Sequence, residues 1–168
     1  MLSSCGFQVT AIDNRTDYWK NGYWNRHWHV LDDNILNPKL GRTFDLITCI
    51  SVLEHIADHN IAMKNMMNLL NPGGHLILTG PFDRDRYCPD IYQEPHIKAH
   101  YNYPFICQVF SKKEVAGWLA DNRARIELAE YYRGFTGNLF REGDRLCPPE
   151  QVGIDDGPHF CCLDIVKA

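Results

Sequence analysis

Three observations predict an α/β fold with a mostly parallel sheet flanked by helices. Apolar runs of strand length alternate with helical stripes, and two of those runs close on carboxylates, at Asp13 and at Asp32-Asp33. A third run, residues 43–51, is apolar almost throughout, the pattern of a parallel strand covered on both faces.

Residues 6–13 read as a strand opened by Gly6 and ended by Asp13, and residues 27–31 as a second that closes on Asp32-Asp33. The run 43–51 is the third. Ile56, Ile61, Met63, Met66, Met67 and Leu70 then approximate a helical stripe, stopped by Asn71-Pro72-Gly73-Gly74. Residues 75–79 supply the next strand, which Gly80-Pro81 ends. Residues 81–110 are rich in Pro and Tyr and show no steady period, so they are expected to form a structureless lid or substrate loop. Ser111 with Glu114 fits a capping box, opening a helix that carries Val115, Trp118 and Leu119 on one side. A strand near residues 126–132 follows, residues 134–158 read as loop and turn, and residues 159–166 close the chain as a final strand. No repeat or linker interrupts this order, so residues 1–168 are read as a single domain. In open sheets of this kind ligands bind outside the carboxyl ends of the strands, which selects Asp13, Asp32-Asp33, residues 51–55 and residues 80–83 as one mouth.

Composition excludes several classes. The 168 residues are enough to bury roughly 70% of the unfolded surface. The 17 Lys and Arg against 21 Asp and Glu give a net charge of −4, and no basic run exceeds Lys112-Lys113, so no direct nucleic-acid partner is expected. No apolar stretch reaches the roughly 18 to 20 residues of a bilayer crossing, and residues 1–4 lack the charged start of a signal peptide; no membrane association and a cytoplasmic location are expected. Seven cysteines without a C-x-x-C pair read as reduced, mostly buried thiols. Cys161-Cys162 straddles the two faces of a strand, which argues against a redox pair. His55 and His59, and again His96 and His100, have the i,i+4 spacing of zinc ligands, but each pair lacks an obvious third ligand, so no metal site is expected. Tyr87, Tyr92, Tyr101, Tyr103 and Phe105, with Asp83, Arg84 and Arg86, are the residues of a lid; Trp19, Trp24 and Trp28 read as core.

The segment Phe44-Asp45-Leu46-Ile47-Thr48-Cys49-Ile50-Ser51-Val52-Leu53-Glu54-His55-Ile56 resembles the F-D-L-[IV]-x-x-x-x-V-L-E-H-[IV] signature of class I S-adenosylmethionine-dependent methyltransferases. Leu70-Asn71-Pro72-Gly73-Gly74-His75-Leu76-Ile77-Leu78-Thr79 looks like the L-x-P-G-G-x-L-x-[IL]-[ST] motif that follows it in the family. The resemblance implies a Rossmann-like sheet, S-adenosylmethionine as cofactor and a small-molecule acceptor. It further implies that Asp13, with Asn14 beside it, meets the ribose hydroxyls, that Asp32 or Asp33 meets the adenine amino group, and that backbone near Ile50 and Ser51 flanks the methionine part. His55, after the strand, is the candidate base for an acceptor that carries a proton.

The family's G-x-G-x-x-G loop lies about 20 residues before the acid that corresponds to Asp13. Only twelve residues precede Asp13, and no such loop occurs in the sequence. The resemblance therefore implies a chain that lacks the family's first strand and first helix, an N-terminally truncated domain with weak or absent cofactor binding. Two unpaired inner edges would remain, to be covered by a homo-oligomer or a partner chain. The rival reading is a non-catalytic methyltransferase-like module completed by such a partner. A nicotinamide-dependent Rossmann enzyme is a third reading, against which the Val-Leu-Glu-His run and the missing phosphate loop both speak.

Overall fold

The computed structural model describes residues 2–14, 30–98 and 103–168, which fall into two compact units, one up to Arg42 and one from Thr43. In the first unit, β1 (Ala11–Asp13) pairs in parallel with β2 (Val30–Asp32), and the register sets Asp13 directly beside Asp32. Both acid-terminated strands are thus present, though each is confined to three residues. Trp19, Trp24 and Trp28 lie outside the described residues.

The second unit is a five-stranded sheet in the order β3-β4-β7-β5-β6. β3 (Phe44–Ile50) runs parallel to β4 (Leu70–Pro81), and β7 (Phe160–Lys167) lies antiparallel between β4 and β5 (Ala124–Phe135). The parallel expectation holds for β1–β2 and β3–β4, and the C-terminal strands make the sheet a mixed one. Along β4 and β7 burial alternates, and directly paired residues share the covered face: Leu76 with Ile165, Leu78 with Leu163, and Gly80 with Cys161. β3 is an exception to the sequence reading. Among its residues Cys49 alone is buried and Ile50 is 51% exposed, because β4 is its one neighbour among the described residues and a single face is covered.

Helix α1 (His59–Leu69) buries His59, Ala62, Met63, Met66 and Met67, the i, i+3, i+4, i+7, i+8 stripe of a helix packed on a sheet. The stripe is rotated from the predicted one, since His59 occupies it and Ile61 faces solvent. At Asn71-Pro72-Gly73-Gly74 the pairing of β3 with β4 jumps from Phe44↔Leu70 to Leu46↔His75, and Gly73 takes φ +73°. The predicted turn is therefore built into the strand pair as a bulge. Helix α3 (Lys112–Asn122) begins with the predicted capping box: the Ser111 hydroxyl accepts from the Lys113 N–H, and the Glu114 carboxylate accepts from the Ser111 N–H at 3.1 Å. Trp118 of α3 donates its indole N–H to Asn60 of α1 at 2.9 Å, joining the two helices.

Two stretches depart from the sequence reading. The described residues of 81–110 are not structureless: they hold a 3₁₀ turn (Ile91–Gln93), the short helix α2 (Pro95–Lys98), and bridges Phe82↔Phe110 and Cys88↔Val109. Cys88, Ile91, Tyr92, Ile97, Cys107 and Val109 pack with Phe140 into a core of their own. Turns and single bridges impose no period on a sequence, so a compact segment built from them reads as a loop. Within residues 134–158, β6 (Arg145–Val152) pairs antiparallel with β5. Its Cys147-Pro148-Pro149 run argues against a strand in the interior of a sheet, yet proline is tolerated at an edge, which is where β6 lies.

Candidate functional site

The first unit brings its acids together by strand register. Asp13 and Asp32 are paired residues at the carboxyl ends of two parallel strands, both exposed, and the Asp33 N–H donates to the Asp13 carbonyl at 3.2 Å. The two alternatives, Asp32 and Asp33, separate here. The Asp33 carboxylate accepts from the backbone N–H of Asn34 at 2.8 Å and from that of Lys39 at 3.0 Å, so it holds the following loop. Asp32 is the better placed of the two for a ligand. Asn14 follows Asp13 at the exposed strand end.

In the second unit the chain leaves β3 through Ser51, a non-glycine residue at φ +52°. This left-handed conformation is costly for a side chain and is held by the Ser51 N–H, which donates to the Thr79 carbonyl at 3.1 Å. The strained turn sends Leu53–His55 into a 3₁₀ turn that buries Leu53 and Glu54 completely or nearly so and leaves the His55 side chain 38% exposed. The Val52 carbonyl accepts from the His55 N–H at 3.0 Å, closing the turn.

His55 is fixed from the far side by residues 81–110. Its Nδ1 lies 2.6 Å from the Ile106 carbonyl, which can only accept, so Nδ1 carries the proton and Nε2 is the basic nitrogen of the neutral ring. Phe105 meets the imidazole edge to face, with centroids 5.1 Å apart. Glu54, one residue back, is only 4% exposed, and its Oε1 is 3.9 Å from His55 Nε2, too far for a hydrogen bond. Its Oε2 is buried without a hydrogen-bond partner. Burial holds the Glu54 carboxyl above the usual carboxylate range, against the opposing pull of its own backbone N–H and of His55.

Gln108 ties this turn to α1 and is the residue that sequence reading missed. It is buried; its backbone N–H donates to the Glu54 carbonyl at 2.9 Å and its Nε2 to the Ile56 carbonyl at 2.7 Å. Its Oε1 accepts from the Tyr87 hydroxyl at 2.7 Å and lies 2.9 Å from His59 Nδ1. His59 is thereby engaged with Gln108 while His55 is engaged with Ile106. His100 and the His96 side chain lie outside the described residues. Glu54 was legible as part of the Val-Leu-Glu-His run but carried no sign of its burial.

The aromatic residues of 81–110 divide by burial. Tyr92 is buried and its hydroxyl is pushed up to about 12 by that burial, whereas Tyr103 and Phe105 are 44% and 39% exposed. Tyr101 lies outside the described residues. Asp83 accepts from the backbone N–H groups of Asp85 and Arg86, and Arg86 pairs with Glu94, so these charges shape the loop itself. All seven cysteines are free, and Cys49, Cys88, Cys107 and Cys161 are buried. Burial first, and the Glu54 carboxylate after it, push Cys49 up to about 11 and Cys107 up to about 12, leaving both as inert thiols at neutral pH. No described helix is long and apolar enough to cross a membrane.

A family model described as a methyltransferase domain matches residues 1–124, which include Asp13, Asn14, Asp32, Asp33, Ile50, Ser51, Glu54, His55 and Gln108. The chain belongs to the methyltransferase domain family. A structure of an S-adenosylmethionine-dependent methyltransferase from Methanosarcina mazei covers 99% of this chain and 84% of its own length, at a TM-score of 0.60 and 17% identity. The 1,6-didemethyltoxoflavin-N1-methyltransferase of Burkholderia thailandensis, solved with 1,6-didemethyltoxoflavin and S-adenosylhomocysteine, covers 97% of this chain and 62% of its own, at 0.57 and 13%. These likenesses establish the α/β methyltransferase fold. Among curated proteins, the ubiquinone biosynthesis O-methyltransferase of Coxiella burnetii is 29% identical over 79 residues, 47% of this chain and 33% of that protein. The matched stretch thus spans about a third of the length of that relative.

Proposed function

We propose that this methyltransferase domain transfers a methyl group from S-adenosylmethionine to a small-molecule acceptor, with His55 as the base that takes the acceptor's proton. The observation that carries the reading is the state of His55: half-exposed at the carboxyl end of β3, with Nδ1 bound to a carbonyl and Nε2 left basic. S-adenosylmethionine, when bound, supplies an electrophilic methyl on its sulfonium. Within the first unit, Asp13 and Asp32 stand in register at two strand ends, and that pairing supports a reading in which they meet the ribose and the adenine. Asp13 and Asn14 would hold the ribose hydroxyls, Asp32 the adenine amino group, and backbone at Ile50 and Ser51 would flank the methionine part. Methyl transfer is an in-line displacement, so the protein's share is positioning, exclusion of water and removal of one proton. The described residues of 81–98 and 103–110, anchored by Gln108 and the Tyr92 core, serve in this reading as the wall of the acceptor site.

The 168 residues contain no G-x-G-x-x-G loop, and we expect them to bind the cofactor weakly on their own. Calorimetric titration with S-adenosylhomocysteine, with Asp13→Ala as control, tests the cofactor assignment: saturable heat lost in the variant supports it, and heat unchanged by the variant removes Asp13 from the site. The exposed Ile50 and Val52 beside β3 favour a second reading, a non-catalytic module completed by a partner chain. A stoichiometric complex that fails to bind S-adenosylhomocysteine would select it.

A further inference from the structure

Gln108 is a polar side chain placed where an apolar one would fill the space. It is 2% exposed, and its neighbours Cys107, Val109 and Phe110 are buried apolar groups. Burying an amide costs free energy unless both of its ends are hydrogen-bonded, and at Gln108 both are. Oε1 faces two donors, the Tyr87 hydroxyl at 2.7 Å and His59 Nδ1 at 2.9 Å, while Nε2 donates to the Ile56 carbonyl at 2.7 Å. The opposite amide orientation would set its oxygen against that carbonyl and against the Glu54 carbonyl, 3.4 Å away, so one orientation alone satisfies the contacts.

What that orientation holds is His55. The Gln108 backbone N–H donates to the Glu54 carbonyl at 2.9 Å and its side chain to the Ile56 carbonyl, so a single residue fixes the chain on both sides of His55. Two positions earlier, the Ile106 carbonyl takes the Nδ1 proton of the imidazole. Backbone and ring of His55 are therefore clamped by the stretch 106–108. Tyr87 and His59 set the amide, the amide sets the turn, and the turn decides whether Nδ1 reaches Ile106.

We infer that Gln108 is a positioning residue for His55, its side-chain amide keeping the Leu53–His55 turn in the geometry that leaves Nε2 as the basic nitrogen. The purpose of that positioning rests on the methyl-transfer reading, but the positioning itself is read without cofactor. Long-range proton–nitrogen correlation spectra of the full chain, recorded at about pH 8, above the ordinary histidine range, are expected to show the His55 ring as a single Nδ1–H tautomer. Gln108→Met keeps the bulk and removes the amide, and replaces that signature by a mixture of the two tautomers. Tyr87→Phe deletes one of the two donors to Oε1 and gives a smaller share of the same mixture. Cys107→Ala loosens the same buried stretch without touching the amide and leaves the single tautomer intact, which separates positioning from general stability. A wild-type ring that is not Nδ1–H, an Nδ1–H tautomer retained in Gln108→Met, or one lost equally in Cys107→Ala overturns the inference. Should Gln108→Met fail to fold, Tyr87→Phe decides, and a tautomer unchanged from wild type there overturns it. Methyl transfer is measured separately, where Gln108→Met is expected to lower kcat by about tenfold with KM for S-adenosylmethionine unchanged. A mixed tautomer with undiminished transfer would leave the positioning standing and remove His55 as the base, whereas lost transfer with an intact Nδ1–H tautomer would remove the positioning alone.

Discussion

At the scale of single residues, the turn Leu53–His55 places two titratable groups side by side with opposite fates. His55 keeps contact with solvent and a basic Nε2; His55→Ala is expected to lower methyl transfer by about a hundredfold or more, the usual range for a general base, with S-adenosylhomocysteine binding unchanged in calorimetry. Glu54 is buried with one oxygen unpaired, and burial raises its pKa in the folded state above the ordinary 4.5. In the pH interval just above 4.5 the folded protein then binds more protons than the unfolded chain, so stability falls as pH rises through that interval. Glu54→Gln should flatten this slope in urea denaturation followed across pH; a slope equal to wild type would assign it to another group. His159 acts in the opposite sense. It is buried, its Nδ1 accepts from the Gly134 and Phe135 N–H groups, and burial lowers its pKa below 6.5, so its share of stability is present above 6.5 and lost as pH falls below that value.

At the scale of elements, the turns and caps that the sequence announced are also where substitutions report most directly. A Cβ on Gly74 would lie 2.9 Å from the Asn71 carbonyl oxygen and 3.2 Å from that of Asp45, and both oxygens belong to the backbone of the β3–β4 bulge. Gly74→Ala is therefore expected to cost about 1–3 kcal/mol in urea denaturation, the range of a forced backbone shift. Ser111→Ala removes the cap of α3 and should cost about 1 kcal/mol by the same measurement, with the helix otherwise intact. These elements were legible because Asn-Pro-Gly-Gly and Ser-x-x-Glu act through neighbouring backbone. β6 and the core of residues 81–110 were not legible, since an edge strand with two prolines and a segment built from turns and single bridges present no period to read.

At the scale of the whole molecule, the two units differ in the means of holding themselves together. β1 and β2 form a two-stranded sheet three residues long, below what is independently stable in water, whereas β4 and β7 lie inside a five-stranded sheet with paired, buried Leu76, Leu78, Leu163 and Ile165. Native-state hydrogen exchange should therefore release the amides of Ile12 and Leu31 orders of magnitude sooner than those of Leu78 and Leu163. Comparable protection at both sets would show that the first unit draws stability from beyond its own strands. If ligand binding at Asp13 and Asp32 orders that unit, S-adenosylhomocysteine should slow exchange there first.

The sequence by itself determined the family, the acids at the ends of the first two strands, the turn at Asn71–Gly74, the cap at Ser111 and the place of the Val-Leu-Glu-His run directly after β3. Each is carried by residues adjacent along the chain, whose chemistry acts over a few bonds. Tertiary structure alone decided which nitrogen of His55 is basic, that Asp33 is consumed by its own loop while Asp32 faces outward, that Glu54 is buried beside Gly80, and that Gln108 and Phe105 hold the Leu53–His55 turn from fifty or more positions away. Those facts depend on hydrogen bonds and burial between segments distant in sequence, and no local pattern encodes a partner that the fold alone brings within 3 Å.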